Sequence, residues 1–351
     1  MQFVHDSLPQ RVRFATGAAA ENLAAEVAAL GARRVMVIAG ASERELADRV
    51  TAGLPVVNRH DDVVMHVPVE VAERAQVAAA ASRADMVVSV GGGSTTGLAK
   101  AVALSTGLPI VAVPTTYAGS EATAVWGLTE DLVKTTGTDA RVLPRAIVYD
   151  AALTLSLPVG LSVASGLNAL AHCVDSMWAP RTDPINRALA AEGVRALRAG
   201  LPLVVKDPDG LEGREQALYG AYLSAVAFAS AGSGLHHKTC HVLGGMFNLP
   251  HAQTHAVVLP HVLAFNAPFT QEAEQRLAAA FGSRTAVEGL AGLRDELGAP
   301  RSLRDLGMPR KGVPAAAEAV VAAAPAGNPR PVTLDAVTAL ISDAWEGVEP
   351  R

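Results

Sequence analysis

The sequence is poor in aromatic residues and cysteine, and each shortage argues against a class of protein. Aromatic residues make up 4% of the 351 residues although 50% are hydrophobic, so the apolar content is mainly Ala, Val and Leu, which favours helices packed on a sheet. The 2 cysteines are too few for the disulfide framework of a secreted domain. We therefore expect a reducing, cytoplasmic compartment.

The chain also lacks clusters of positive charge and long apolar runs. A formal net charge of −5 and a pI near 6.1, with no run of Lys and Arg, argue against a nucleic-acid partner. No uninterrupted apolar run reaches the roughly 18 residues that span a bilayer, and no basic segment followed by an apolar one opens the sequence. The sequence predicts a soluble protein without a membrane segment.

The order of strand-like and helix-like segments divides the chain near Asp150, and its length also favours two domains. Over residues 1–150, β-branched runs alternate with Ala-rich helical stretches, which predicts a Rossmann-like α/β domain with a parallel sheet. Over residues 151–351, long Ala/Leu-periodic segments predict an all-α domain. The predicted strands of the first domain are 33–39, 63–67, 85–90 and 109–113, and its predicted helices are 43–52, 71–82 and 95–104.

A glycine-rich turn separates the third predicted strand from the helix that follows it. The turn consists of Gly91, Gly92, Gly93 and Ser94. Such a turn before a helix presents backbone N–H groups and the positive end of the helix dipole to an anion, which suits a pyrophosphate. The spacing is neither the dinucleotide fingerprint nor a P-loop, and an ordinary tight turn is the alternative.

Hydroxyl side chains end the next predicted strand. Thr115 and Thr116 stand there, and Ser120 follows a short stretch of small residues. At the carboxyl end of a parallel strand, beside the glycine turn, these hydroxyls can reach a ribose or a phosphate. A pair of threonines is otherwise typical of a helix cap, so that alternative stays open.

The second domain concentrates the histidines. His172 lies one helical turn after Asn168, and His237 and His241 are also four residues apart, so each pair shares one face of a helix. His251 follows Pro250 at a predicted helix start, and His236 and His255 add to the group. So many imidazoles in a short stretch are typical of a metal site or a catalytic cluster.

Three segments together resemble the iron-containing alcohol dehydrogenase superfamily, namely 91–94, 114–121 and 166–172. Further segments are similar to its maleylacetate reductase branch, and the likeness extends from about residue 10 to Glu346. These further segments are 65–68, 125–129, 133–137, 236–245 and 249–252.

The resemblance implies an N-terminal dinucleotide-binding α/β domain, a helical C-terminal domain and an active site in the cleft between them. Metal-dependent branches hold one divalent ion with an Asp and three His, and these positions fall on Asn168, His172, His237 and His251. A neutral Asn removes one negative charge from the ion's ligands. Because the maleylacetate reductase branch shows this Asn and is described as working without metal, the resemblance implies a site with no metal.

The same resemblance implies hydride transfer from NADH or NADPH to the carbon–carbon double bond of maleylacetate, giving 3-oxoadipate during aromatic degradation. The enolate that forms needs a hydrogen-bond donor at its oxygen, and an acid must protonate carbon. We predict His241 and His251 as donor and acid, in an order that stays open, while His172 and His237 shape the pocket.

Positive side chains are predicted to hold the substrate carboxylates or the cofactor phosphates. The candidates are Lys238, Lys134 and Arg141, and Lys238 has solvent exposure on its helix as the alternative. The predicted cofactor-binding residues are Gly91, Gly92, Gly93, Ser94, Thr115, Thr116, Ser120 and Lys134.

The choice between NADH and NADPH stays open. No Asp ends the strand that closes at Ala39, where an acid would read the ribose 2′-hydroxyl. Ser42 or Arg44 can instead accept a 2′-phosphate, which favours NADPH or dual use.

Three other functions are compatible with the residues. A metal-dependent alcohol dehydrogenase can use the same fold, with Asn168 as a weak ligand. Departures from the branch at Gln253 and at 325–327 leave room for a related unsaturated keto acid as substrate. A non-catalytic nucleotide-binding relative is the third, and the intact histidine segment argues against it. The resemblance also suggests a homodimer.

Overall fold

The structure is a computed structural model that describes residues 2–130 and 133–350, without the side chains of Val133 and Lys134. The chain divides into two compact units, one of Leu8–Leu157 and one of Pro158–Arg351 together with Met1–Ser7. The boundary between the units falls after Leu157, whereas the sequence suggested a boundary near Asp150. Within the described residues, no helix combines the length and the apolar character needed to cross a membrane.

The first unit is an α/β domain with a six-stranded parallel sheet in the order β1-β8-β5-β4-β2-β3. The strands of this sheet are β1 (Arg11–Phe14), β2 (Val35–Ile38), β3 (Val56–His60), β4 (Met86–Gly91), β5 (Ile110–Pro114) and β8 (Ala146–Tyr149). An antiparallel pair, β6 (Val125–Glu130) and β7 (Val133–Thr138), stands apart from it. The helices of the unit are α1 (Ala19–Ala29), α2 (Arg44–Thr51), α3 (Val69–Ala81) and α4 (Gly93–Thr106).

Helices cover both faces of the central strands. Val35 and Val37 of β2 belong to the core that includes α1 and α2, whereas Met36 and Ile38 belong to the core that includes α3 and α4. Successive side chains of a strand point to opposite faces, so a strand buried on both faces must be apolar throughout. This explains the continuous apolar runs that allowed the central strands to be predicted.

The predicted strand at residues 63–67 is wrong. This segment is a loop in which His66 and Val67 have φ of 66° and 49°, and Val67 is buried against α4 in the core beneath that helix. The strand in this part of the chain is β3, which pairs with β2 alone and is only partly buried. An edge strand needs no apolar run, and the sequence therefore gave little sign of it.

The second unit is helical, as predicted. Its helices are α5 (Val159–Ser176), α6 (Pro184–Lys206), α7 (Leu211–Ala231), α8 (Leu235–Phe247), α9 (His251–Asn266), α10 (Gln271–Phe281), α11 (Ala286–Glu296), α12 (Val313–Ala323) and α13 (Leu334–Glu346). Every residue of α5 from Ser162 to Ser176 is buried, because α5 packs against α6, α7 and α9. Any polar side chain on that stretch is therefore removed from water.

Candidate active site

The turn between β4 and α4 has no room for side chains. Gly91 has φ of 152°, and a Cβ on it would lie 2.5 Å from Thr95 Oγ1. A Cβ on Gly92 would lie 2.9 Å from Thr116 Cγ2. Glycine at both positions leaves the backbone uncovered at the start of α4, where N–H groups and the helix dipole favour an anion.

The hydroxyl residues predicted to bind the cofactor stand at the same edge of the sheet. The N–H of Thr115 donates to the carbonyl oxygen of Gly91 at 3.1 Å, which ties the end of β5 to the turn. The side chain of Thr116 lies next to Gly92, on the side where a Cβ would project. The structure thus brings together the two threonines and the glycines of 91–93, as the parallel pairing of β4 and β5 requires.

A buried lysine, not recognised from the sequence, holds the segment that carries Ser120. Lys100 Nζ lies 2.6, 2.9 and 2.8 Å from the carbonyl oxygens of Ser120, Thr123 and Val125, and 3.0 Å from Thr123 Oγ1. Burial lowers the pKa of Lys100 to about 7. A lysine inside the apolar stretch 98–103 was the signal in the sequence.

The other predicted anion contacts of this unit have different surroundings. Ser94 lies in the first turn of α4, next to the glycine turn. The Lys134 side chain lies outside the described part of the chain. Arg141 donates to the carboxylate of Asp139 at 2.7 Å, so its charge is already paired within the unit.

The inner histidines of the second unit form a buried stack. Asn168 and His172 lie one turn apart on α5 and are 3% and 8% exposed. His237, on α8, stacks on His172 with ring centroids 4.9 Å apart and an interplanar angle of 15°. Phe228 of α7 contacts the two rings at centroid distances of 4.8 and 4.3 Å. Three helices therefore build this one stack.

The two outer histidines continue from the stack toward solvent. His241 and His251 are both exposed, and their ring centroids are 6.4 Å apart. His241 lies 6.2 Å from His237 by the same measure. The four histidines that the sequence singled out thus form one contiguous set within the helical unit.

Burial distinguishes the inner from the outer histidines chemically. It lowers the pKa of His172 and of His237 well below the usual value, because a charged imidazole would lose its hydration there. His241 and His251, by contrast, are exposed to solvent. The inner pair is therefore suited to neutral contacts and the outer pair to carrying protons.

Lys238 follows His237 on α8 and is half-buried. Its charge is one of the causes that lower the pKa of His237, after burial and the charges of His241 and His251. Lys238 is therefore close enough to act electrostatically on the set, and its contact with a substrate carboxylate stays a prediction.

Asp175 orients His237 and was missed in the sequence. Its carboxylate accepts hydrogen bonds from His237 Nδ1 at 2.7 Å and from the backbone N–H of Gly234 at 2.8 Å. The N–H groups of His236 and His237 also point to it, at 3.3 Å. Burial raises the pKa of Asp175, and these N–H groups oppose the rise. With Nδ1 donating to the carboxylate, Nε2 of His237 becomes an acceptor. An acid inside the apolar α5 was its signal.

A second pair of imidazoles lies next to the stack. His236 Nε2 is 2.9 Å from His255 Nδ1, which is a normal N–H···N hydrogen bond, and Cys240 Sγ is 3.6 Å from His236 Nε2. All three are buried, and burial lowers the pKa of His236 to about 3. Their ligand atoms lie within 4.8 Å of one another, close enough to share a metal ion. Both cysteines, Cys173 and Cys240, are buried free thiols.

Several buried polar atoms of the stack have no hydrogen-bond partner among the described residues. They are Asn168 Oδ1, His172 Nδ1 and His237 Nε2. Leaving such an atom unpaired costs about 1–3 kcal/mol, so a bound molecule that supplies partners would be stabilised here. The cluster therefore has the character of a ligand site.

Comparison with known proteins identifies the family. The model of "Iron-containing alcohol dehydrogenase" matches residues 9–151, and that of "Fe-containing alcohol dehydrogenase family, C-terminal" matches residues 162–345. The maleylacetate reductase of Sphingobium indicum is 47% identical over 353 residues, which cover 100% of this chain and 99% of that protein.

Solved structures of two relatives are also similar to this chain over nearly its full length. An iron-containing alcohol dehydrogenase from Corynebacterium glutamicum superposes with a TM-score of 0.98 at 58% identity, covering 100% of this chain and 98% of the other. Maleylacetate reductase from Rhizobium sp. strain MTP-10005 superposes with a TM-score of 0.94 at 44% identity, covering 99% of each chain. The chain is therefore an oxidoreductase that belongs to the iron-containing alcohol dehydrogenase family.

Proposed function

We propose that this protein reduces the carbon–carbon double bond of maleylacetate to give 3-oxoadipate, with a reduced nicotinamide dinucleotide as the reductant and without a metal ion. The observation that carries the proposal is the division of the histidines into a buried neutral pair, beside the neutral Asn168, and an exposed pair able to carry protons. The full-length likeness to maleylacetate reductases supports the substrate.

The reaction needs one hydrogen-bond donor and one proton. Hydride added to the carbon β to the ketone moves an electron pair to the ketone oxygen, and the resulting enolate collects a proton at the α-carbon. His241 and His251 are the exposed imidazoles of the set, and we assign them these two tasks. Neutral His237, with Nδ1 held by Asp175, presents an acceptor and is unsuited to donate.

The glycine turn fits the phosphates of a dinucleotide. Side chains at Gly91 and Gly92 would meet Thr95 and Thr116, so the turn keeps bare backbone at the start of α4. Thr115 and Thr116 add hydroxyls at the same edge. When bound, the reduced nicotinamide supplies the hydride.

The residues of the stack fit a divalent ion poorly. Asn168 replaces the acid among the family's metal positions, so the donor set of one amide and three imidazoles carries no negative charge. The carboxylate of Asp175 is already shared between His237 and the first N–H groups of α8. Without an anionic ligand, a hard divalent ion loses much of its electrostatic attraction.

A metal-dependent alcohol dehydrogenase is the second candidate, and one contact favours it. A carboxylate that holds Nδ1 of a histidine, as Asp175 holds His237, is the usual way of orienting Nε2 toward a metal. The family name of the matching models agrees with this alternative.

One assay separates the two candidates. Oxidation of NADH and NADPH is measured with maleylacetate, a related unsaturated keto acid, simple ketones and aldehydes, each with and without chelator. We expect turnover with maleylacetate that chelator leaves unchanged, and elemental analysis below one ion per chain. Activity confined to simple carbonyls and abolished by chelator would establish the metal-dependent alternative.

Exchanging Asn168 tests the metal argument directly. Asn168→Asp restores the missing charge and should raise the affinity for Zn²⁺ or Fe²⁺ by at least about tenfold, measured by titration calorimetry. Asn168→Ala, which removes the amide without adding charge, is the matched control and should not raise it. Stoichiometric metal in the unmodified protein would refute the metal-free mechanism.

We also propose a homodimer that acts on a small dicarboxylate, with no nucleic-acid partner, in the cytoplasm. Sedimentation equilibrium measures the assembly state, and a monomer would refute that part of the proposal.

A further inference from the structure

A small cavity lies at the carboxyl end of β2, next to the strand that carries the glycine turn. β2 and β4 are neighbours in the sheet, so the ends of both strands share one edge. The cavity is lined by Val37, Ala39, Arg44, Ala47, Asp48, Arg59, His60 and Asp61. In dinucleotide-binding sheets, the end of the strand beside the phosphate turn is where the adenosine ribose is read.

Three arginines of this region each pair with an aspartate. Arg59 lies 2.9 Å from Asp48, Arg44 forms an ion pair with Asp61, and Arg74 lies 2.6 Å from Asp62. The pairs neutralise one another one to one. The arginine that the sequence offered as a 2′-phosphate contact is therefore already engaged.

Glu43 is an acid of this region that pairs with none of these arginines. Its Oε2 accepts a hydrogen bond from Ser42 Oγ at 2.7 Å. The same atom lies 2.7 Å from the position that a Cβ on Gly40 would take, so the carboxylate lies against the backbone just after β2. Among the described residues Glu43 forms no ion pair. Glu43 therefore places a carboxylate that no arginine pairs with next to Arg44 of the cavity.

We propose that Glu43 determines the cofactor: its carboxylate takes the place of the missing aspartate, accepts the ribose 2′-hydroxyl of NADH and repels the 2′-phosphate of NADPH. The inference rests on the proposed use of a nicotinamide dinucleotide. It also replaces the role suggested by the sequence for Ser42 and Arg44, because the hydroxyl of Ser42 donates to Glu43 and the guanidinium of Arg44 pairs with Asp61.

The effect follows from charge. A carboxylate hydrogen-bonded to a ribose hydroxyl stabilises NADH, whereas a phosphate at the same position places two negative groups within a few ångströms. Replacing Glu43 by Gln keeps the shape and removes the repulsion. Glu45, two residues further along and exposed at the start of α2, is a matched control for loss of a nearby negative charge.

The test measures the dissociation constants of NADH and NADPH by fluorescence titration, so that it does not depend on which substrate is reduced. We expect the unmodified protein to bind NADH at least about tenfold more tightly, and Glu43→Gln to reduce this preference about tenfold. Glu45→Gln should leave the preference unchanged. Asp61→Asn, which frees Arg44, should strengthen NADPH binding.

Equal binding of both dinucleotides by the unmodified protein would overturn the proposal, and so would an equal response of the Glu43 and Glu45 variants. If neither dinucleotide binds, the proposed function fails together with this inference. Selective binding of NADH without turnover of maleylacetate supports the role of Glu43 and refutes only the substrate.

Discussion

The glycine turn of the first unit and the histidine set of the second are built in opposite ways. The turn uses backbone from the ends of two neighbouring strands, and it works because side chains are absent at Gly91 and Gly92. The histidine set uses side chains from α5, α8 and α9, which only tertiary packing brings together. The first device is local in sequence and the second is not.

The two regions also treat charge differently. The turn offers uncapped N–H groups and a helix dipole, which favour an anion without any ionised side chain. The imidazoles of the histidine set differ in burial: His172 and His237 are buried, whereas His241 and His251 are exposed. Under the proposed function, binding of phosphates thus depends on shape, whereas proton transfer depends on burial.

The largest effect is expected when one of the two exposed histidines is replaced. His241→Asn and His251→Asn should each lower kcat about 10²–10⁴-fold, because each variant loses a proton donor that solvent cannot replace in position. Steady-state kinetics with NADH measures the loss, and dinucleotide affinity should not change. His5→Asn, whose ring contacts Asp183 rather than the histidine set, is the control for loss of an imidazole; equal losses in all three would contradict the assignment.

A substitution of Asp175 tests whether the orientation of His237 affects activity separately from the stability of the fold. Asp175→Asn should lower kcat/KM about 10–100-fold, because the amide no longer fixes Nδ1 of His237 as the donor. Asp183→Asn is a matched control, since Asp183 also accepts N–H groups at a helix start and a histidine nitrogen, His5 Nδ1 at 2.8 Å.

Both aspartate variants should lose about 1–2 kcal/mol of unfolding free energy as helix caps, measured by urea denaturation. Only the first should lose activity. A histidine-selective ¹⁵N spectrum should show a change of tautomer at His237 in Asp175→Asn alone. Parallel losses of activity in the two variants would reduce Asp175 to a structural cap.

The contrast between the regions also decides what the sequence could predict. Gly91 to Ser94 and the threonines of β5 were found because a buried strand, a turn and a helix follow one another along the chain. The edge strand β3 was predicted at the wrong residues, because a partly buried strand has no continuous apolar run. The segment 63–67 is apolar for a different reason, since Val67 packs under α4.

In the second unit, helical spacing correctly paired Asn168 with His172 and His237 with His241. The resemblance had placed His172 and His237 in one site, but the stacking of their rings depends on how α5 and α8 are arranged, which no local rule gives. Asp175 and Lys100 were missed although each is a charged residue inside an apolar stretch, because their partners, which are mostly backbone groups, are distant in sequence. Their roles depend on contacts rather than on any motif.

A smaller effect is expected at the glycine turn. Gly92→Val should weaken dinucleotide binding about tenfold or more, because even a Cβ would lie 2.9 Å from Thr116 Cγ2, while kcat at saturating cofactor changes little. Gly53→Ala is the control, since no atom lies within 4 Å of a Cβ there. Calorimetric titration with NADH measures the affinity, and unchanged binding in Gly92→Val would argue against the phosphate role.

Stability against acid also depends on the burial of the histidines. His172, His236, His237 and His255 have pKa values lowered by burial, to about 3 for His236, while an unfolded chain protonates histidine near pH 6.5. Below that pH the unfolded chain binds protons that the folded one excludes, so the unfolding free energy falls as pH falls. Above it these residues contribute no slope.

Each such histidine adds up to about 1.4 kcal/mol per pH unit to the slope. In urea denaturation between pH 6.5 and 4.5, His236→Gln should therefore show a slope shallower by about that amount than the unmodified protein. The variant also loses the contact with His255, so its free energy is lower at every pH, but only the slope reports the excluded proton. Equal slopes would mean that His236 takes up a proton in the folded state, and burial would then not keep this imidazole neutral.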